Sequence, residues 1–175
     1  LDGSSAASDV YKRQIKDRFV IAISGTHGKT TTSFMIAKIF QSLGMDIGYL
    51  IGGISPDFSF SAKIGSDEIF VIEADEYDSA FFDKRSKFIH YSPNILLINN
   101  IEFDHADIFN DLDEIKKQFH HLLKIIPSSG KIVLFNHDKN ALDVISKGCW
   151  ADIIEINADE SIASFDSSSS TIKFD

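Results

Sequence analysis

Cysteine occurs once in the 175 residues, at Cys149, so the chain cannot close a disulfide within itself, and a reducing, cytoplasmic setting is expected. Long apolar runs are missing, and no segment reaches membrane-spanning length. No basic-then-apolar secretion leader opens the sequence, and no segment repeats. Positive charge is scarce: 17 Lys and Arg stand against 26 Asp and Glu, a net charge of −9 with a pI near 5.0. That balance argues against broad binding to nucleic acid or an anionic membrane and still permits a local basic pocket. What is present is ordinary for a globular core, 43% hydrophobic and 25% charged residues, in a length that fits one domain or one and a fragment.

Residues 1–14 are small and polar, then end in a basic cluster; they read as a tail, either native or a cloning scar. Order is expected over residues 15–158. The run "FVIAIS" from Phe19 is apolar and β-branched, the pattern of a buried strand. From Thr30 to Leu43 the period becomes helical, with Phe34, Ile36, Ala37, Ile39, Phe40 and Leu43 near one face and Gly44 placed to end the helix. Further strands are expected at "EIFVIEAD" from Glu68, "NILLINN" from Asn94, "KIVLFN" from Lys131 and "DIIEIN" from Asp152. A second helix runs from Asp111, where Glu114 completes a capping-box pattern and Ile115, Phe119, Leu122 and Ile126 share a face; Pro127 and Gly130 break it. A short helix follows in "DKNALDVIS", and the Ser-rich residues 159–175 read as a hairpin or a frayed end. Apolar strands alternating with amphipathic helices give an α/β fold, a mostly parallel sheet flanked by helices, whose ligands bind beyond the carboxyl ends of the strands.

Three polar clusters follow three of those strands. In "ISGTHGKTTT", Gly25 and Gly28 permit a tight turn whose N–H groups can surround an anion at a helix N-terminus. Lys29 supplies a full charge for outer phosphates, and the Thr30 hydroxyl can ligate Mg²⁺. The spacing is shorter than the general P-loop pattern G-x-x-x-x-G-K-[ST], so a plain glycine turn is the alternative; the strand before and helix after favour phosphate. "EADEYD", Glu73 to Asp78, places four carboxylates in six residues, either a solvated turn or a cation site, with Glu73 nearest the strand. "NNIEFDHAD" brings Asn100, Asp104 and His105 to the same edge, where His105 could ligate a metal or orient phosphate.

Other residues carry less. His120, His121, His137, Cys149 and Trp150 are expected to pack, cap or face solvent. "IGGIS", Ile51 to Ser55, is either a turn or a close approach to a ligand, and Lys84 with Arg85 is either an anion site or a solvated charge pair.

Together "GTHGKTTT", "EADE" and "NNIEFDHAD" resemble the P-loop NTPase-like, ATP-binding central domain of the Mur ligases, the amide-bond-forming enzymes of peptidoglycan metabolism, over Phe19 to Ile156. The short glycine spacing is that family's form of the P-loop. The resemblance implies ATP and Mg²⁺ as cofactors. Carried over by position, Gly25, Thr26, His27, Gly28, Lys29, Thr30 and Thr31 would hold the ATP phosphates. Thr30 and Glu73 would bind one Mg²⁺, with Glu73 and His105 helping to hold a second. Lys29, Asn100 and His105 would serve catalysis, Asn100 near the transferred phosphate; His27 would contact either phosphate or substrate.

Two branches of the family start from UDP-N-acetylmuramate. One adds L-alanine; the other adds the recycled tripeptide L-alanyl-γ-D-glutamyl-meso-diaminopimelate. The stretches around Tyr77 and after Glu102 look like the tripeptide-adding branch, because alanine-adding enzymes tend to carry serine where Tyr77 stands. The implied reaction moves the γ-phosphoryl group to the muramate carboxylate, and the peptide amine then displaces phosphate. Full-length relatives carry flanking domains for the uridine nucleotide and the amine, and a later histidine–asparagine motif. None is recognised here, so a truncated central domain, binding nucleotide weakly and not ligating alone, is expected. The rival from another class is a P-loop phosphotransferase or nucleotide-binding module.

Overall fold

Strand β1 (Phe19–Ser24) is buried after its first residue, and that is why its sequence shows no polar alternation. The computed structural model describes residues 15, 17–74, 78–80, 83–86, 93–104, 109–157, 163–166 and 171–174. Within them β1 leads to α1 (Lys29–Ser42), β2 (Gly48–Leu50), β3 (Ala62–Lys63), β4 (Ile69–Glu73), β5 (Asp78–Ala80), β6 (Asp83–Ser86) and β7 (Ile95–Ile98). Then come α2 (Leu112–Ile125), β8 (Lys131–Phe135), α3 (Lys139–Ser146), β9 (Asp152–Ile156), β10 (Ala163–Asp166) and β11 (Thr171–Phe174).

Seven strands form one sheet in the order β3-β2-β4-β1-β7-β8-β9. All neighbours run parallel except β3, which is antiparallel to β2. The chain fills one side of β1 with β2 and β4, then crosses to β7, so β1 lies where the winding reverses. That is the position at which open α/β sheets bind ligands. Two-stranded antiparallel pairs, β5 with β6 and β10 with β11, stand apart from this sheet. Strands β2 and β3 are not expected from the sequence, because three and two residues are too short to show a period. Strand β9, expected from its apolar run, is an edge strand with all five residues exposed.

The two faces of the sheet carry separate cores. One joins Val20, Ala22, Phe70, Leu96 and Ile98 to Phe119 and Leu122 of α2 and Val144 of α3. The other joins Ile21, Ile23 and Val71 to Phe34 and Ala37 of α1, together with Tyr49 and Phe58. Ile115, Phe119, Leu122 and Ile126 are all buried, as the period of α2 requires. The apolar face expected of α1 is only partly used. Phe34 and Ala37 are buried, but Ile39 and Leu43 are 51% and 70% exposed. With Met35 they recur every fourth residue, a stripe turned away from the sheet. Gly44, at φ 81°, ends α1 as expected: its N–H donates to Gln41 O and that of Met45 to Phe40 O, the Schellman arrangement. Among the described residues no helix is long and apolar enough to cross a membrane.

Candidate active site at the carboxyl edge of the sheet

Strand register brings the three polar clusters together. Ile23 of β1 lies beside Glu73 of β4, and Ser24 beside Ile98 of β7, so the loops after β1, β4 and β7 start side by side. The first loop is pressed against the third. A Cβ on Gly25 would lie 3.0 Å from Asn99 Cβ and 3.1 Å from the Asn100 backbone, and the residue has φ 136°; both facts demand glycine. The Thr26 N–H donates to Asn100 O at 3.0 Å, and the Thr26 hydroxyl exchanges hydrogen bonds with the Glu102 backbone at 2.9 and 3.1 Å.

Two asparagine side chains complete this clamp. Asn100 Oδ1 accepts from the His27 N–H at 2.8 Å and its Nδ2 donates to His27 O at 3.3 Å. Asn99 Nδ2 donates to His27 O at 3.2 Å and to the Thr32 hydroxyl at 3.1 Å. In this arrangement the Asn100 amide holds the loop backbone; the resemblance implied a place for it near the transferred phosphate. Asn99 was not singled out from the sequence; a pair of amides directly after a strand neighbouring the glycine loop was the available signal. The third loop is itself fixed from behind, because Asp138, the N-cap of α3, accepts from the Ile101 N–H at 2.8 Å.

Helix α1 starts at Gly28, which has φ 78° and offers no side-chain cap; the first turn contains no acidic residue. Such an end presents N–H dipoles and partial positive charge to an anion. Lys29, 8% exposed, folds its ammonium back over the loop and donates to Gly25 O at 2.7 Å and Thr26 O at 3.4 Å. A buried ammonium held by carbonyl oxygens sits in the loop as a positive charge of fixed position. Thr31 is exposed beside it.

Glu73 meets α1 from the second strand. Its Oε1 accepts from the Thr30 hydroxyl at 2.8 Å, and its Oε2 from the Gly52 N–H at 2.8 Å. Among the described residues no three His, Cys, Asp or Glu side chains gather into a metal cage. A magnesium ion shared with phosphates needs no cage, since one or two protein oxygens suffice alongside phosphate and water. The Thr30 hydroxyl and the Glu73 carboxylate are hard oxygen donors of that kind, so the donor set fits. His27, over half exposed, stands 3.8 Å from Glu102 and 3.9 Å from Asp104, at the outer rim. His105, expected as a metal ligand and catalytic residue, lies outside the described residues, as do Asp75, Glu76 and Tyr77 of the acidic cluster and the side chains of Lys84 and Arg85. A groove of about 490 Å³ runs from Thr30 and Thr31 along Phe34, Met35 and Lys38, walled on its far side by Ile54 to Phe58.

Proteins named as ligases are similar to this chain in sequence and in fold. The UDP-N-acetylmuramate–L-alanyl-γ-D-glutamyl-meso-2,6-diaminoheptandioate ligase of Haemophilus influenzae is 52% identical over 137 residues, 78% of this chain and 30% of that protein. A UDP-N-acetylmuramate–L-alanine ligase of Clostridium botulinum is 37% identical over 130 residues, 74% of this chain and 27% of that protein. The crystal structure of a UDP-N-acetylmuramate:L-alanyl-γ-D-glutamyl-meso-diaminopimelate ligase from Neisseria meningitides superposes with a TM-score of 0.78 at 43% identity, covering 89% of this chain and 50% of that one. The chain thus spans about 30% of the length of the Haemophilus relative. Residues 23–173 match the Mur ligase middle domain, and on that match this chain belongs to the Mur ligase family.

Proposed function

We propose that this domain is the ATP-binding part of a ligase that joins L-alanyl-γ-D-glutamyl-meso-diaminopimelate to UDP-N-acetylmuramate in peptidoglycan recycling. The observation that carries the reading is the convergence of Lys29, Thr30 and Glu73 on the uncapped start of α1. The higher identity to the tripeptide-adding relative, 52% against 37% for the alanine-adding one, favours the tripeptide as the amine.

In this reading the loop from Gly25 to Thr31 surrounds the phosphates of ATP with backbone N–H groups, and Lys29 neutralises charge on the outer ones. Thr30 and Glu73 hold Mg²⁺, which when bound supplies charge stabilisation as the γ-phosphoryl group moves to the muramate carboxylate. Asn99 and Asn100 keep the loop backbone in place, so the donors need no reorganisation when the phosphoryl group transfers. The acyl phosphate is then open to the peptide amine, and phosphate leaves. His105 is assigned to the same centre from its place after β7.

The test has two parts. Titration of this chain with ATP is expected to give binding that Mg²⁺ strengthens. The protein that carries this domain in its full length, offered UDP-N-acetylmuramate and ATP, is expected to release phosphate with the tripeptide far faster than with free L-alanine. A preference for L-alanine reassigns it to the alanine-adding branch. Nucleotide binding without any dependence on the sugar nucleotide for turnover returns it to a simple phosphotransferase.

A further inference from the structure

The two glycines after β2 bear on the Thr30–Glu73 pair more directly than a turn requires. The Gly52 N–H holds one Glu73 oxygen, while the Thr30 hydroxyl holds the other. A Cβ on Gly53 would lie 2.5 Å from the Thr30 Cγ2 methyl, far inside contact distance. The backbone of Gly53 is outside the left-handed region, so conformation alone does not call for glycine here. What calls for it is the methyl group of Thr30.

The overlap cannot be relieved by simple withdrawal of the loop. On one side the Ile51 N–H is bonded to Ser61 O at 2.9 Å. On the other, Phe58 is buried, its ring 4.9 Å from that of Phe34 and 5.2 Å from that of Tyr49. Thr30 in turn has its backbone fixed in the first turn of α1. The free coordinate is the Thr30 χ1 rotor. A β-branched side chain moves between staggered wells, so turning Cγ2 away from residue 53 also swings Oγ1 off Glu73.

We propose that Gly53 is a positioning residue: by carrying no side chain it leaves room for the Thr30 rotamer whose hydroxyl meets Glu73, and so permits the oxygen pair that takes the divalent cation to assemble. The role rests on the reading of Thr30 and Glu73 as cation ligands. Gly52 serves the same end through its backbone N–H alone, because a Cβ there would stand 3.4 Å from Glu73 Oε2, an ordinary contact.

A four-protein cycle tests this: the unaltered chain, Gly53→Ala, Thr30→Ser and Gly53→Ala/Thr30→Ser. Each is titrated with ATP in Mg²⁺ and again with ATP in a chelator. Serine keeps the hydroxyl and lacks the methyl, so the double variant is expected to match Thr30→Ser. Gly53→Ala alone is expected to lose about tenfold in Mg²⁺-dependent affinity, with chelator-measured affinity unmoved. Thermal unfolding of the four ligand-free proteins gives a second readout, in which Gly53→Ala lowers the midpoint in the threonine background and not in the serine one. Gly53→Ala behaving as the unaltered chain, or a double variant as impaired relative to Thr30→Ser as Gly53→Ala is to the unaltered chain, overturns the inference. Should the unaltered chain bind ATP with no response to Mg²⁺, the cation reading falls and the positioning role with it. That outcome is recognised from the unaltered chain alone.

Discussion

Helix α1 begins on Gly28, in a left-handed backbone conformation, with no side-chain cap and no acid in its first turn. Helix α2 begins on Asp111, whose carboxylate accepts from the Glu114 N–H at 2.9 Å, with Asp113 and Glu114 in its first turn. The Glu114 carboxylate reaches back to Asn110, one residue before the cap, so the capping box expected from the sequence forms with its return bond displaced outward. A helix that only has to be stable thus meets its own dipole with its own acids. The helix at the sheet's switch point leaves that role to something outside the chain, and an anion is the group that fits. The same division holds for α3, capped by Asp138.

Removing the charge that α1 does supply is expected to have the largest effect. Lys29→Ala takes a buried ammonium from the loop, and nucleotide affinity is expected to fall by about 100-fold, a loss of about 2.7 kcal/mol. Circular dichroism should be unchanged, since Gly25 O and Thr26 O, which accept from the lysine, lie in the loop between β1 and α1. Retained affinity in calorimetry would show that the phosphate reading of α1 is wrong.

The contrast can also be erased by giving α1 the acid that α2 has. Thr31→Glu places a carboxylate at the third helical position of α1, where it is exposed. It is expected to stabilise the ligand-free chain by about 0.5 kcal/mol and to weaken nucleotide binding about tenfold, because two anions then compete for one helix end. Opposite signs on stability and affinity are the signature; a variant that loses both has merely been damaged. The reverse change, Asp111→Ala, is expected to cost about 1 kcal/mol in urea unfolding and to leave nucleotide affinity within about twofold.

The meeting of Lys29, Thr30 and Glu73 at one sheet edge was legible because each stands at or just after the end of a recognisable strand. "GTHGKTTT" after an apolar strand has the form of the proposed phosphate loop, and Glu73, which closes a later strand, does meet Thr30. The long strands and the second helix were legible from period alone. What escaped the sequence is held by contacts between distant segments. β2 and β3 gain their pairing from neighbours and not from any pattern of their own. The hold of Asn99 and Asn100 on the His27 backbone joins residues 72 and 73 apart. The alternatives for Gly52 and Gly53 could be separated only by seeing that Thr30 occupies the space a side chain at 53 would need and that the Gly52 N–H meets Glu73. The exposed stripe of Met35, Ile39 and Leu43 shows the converse: a helical period counts apolar residues without saying which of them the sheet reaches.

The smallest expected effect comes from acid, and it separates the stability circuits from the site. Asp46 is held below its ordinary 3.8 first by its hydrogen bond from Lys63, and Asp143 likewise by Lys116 and then Lys147. Glu114 is held below 4.5 by the Asn110 backbone and side chain. Burial lowers His120 below 6.5, helped by the charge of Lys124 and opposed by a bond to the Val144 backbone. In all four the folded state binds its proton less readily than the unfolded chain, so stability is complete above the unfolded value and drains as pH falls through the folded one. The loss should therefore come in two steps. The first begins just below 6.5 from His120 and is absent in His120→Gln. The second follows near and below 4.5 from the three carboxylates; the parts due to Asp46 and Asp143, which are paired with lysines, are damped by salt, and the part due to Glu114, held by the neutral Asn110, is not. Urea midpoints measured from neutral pH down to about pH 3, with and without added salt, read both steps; a midpoint that rises on acidification would contradict the assignment of all four groups.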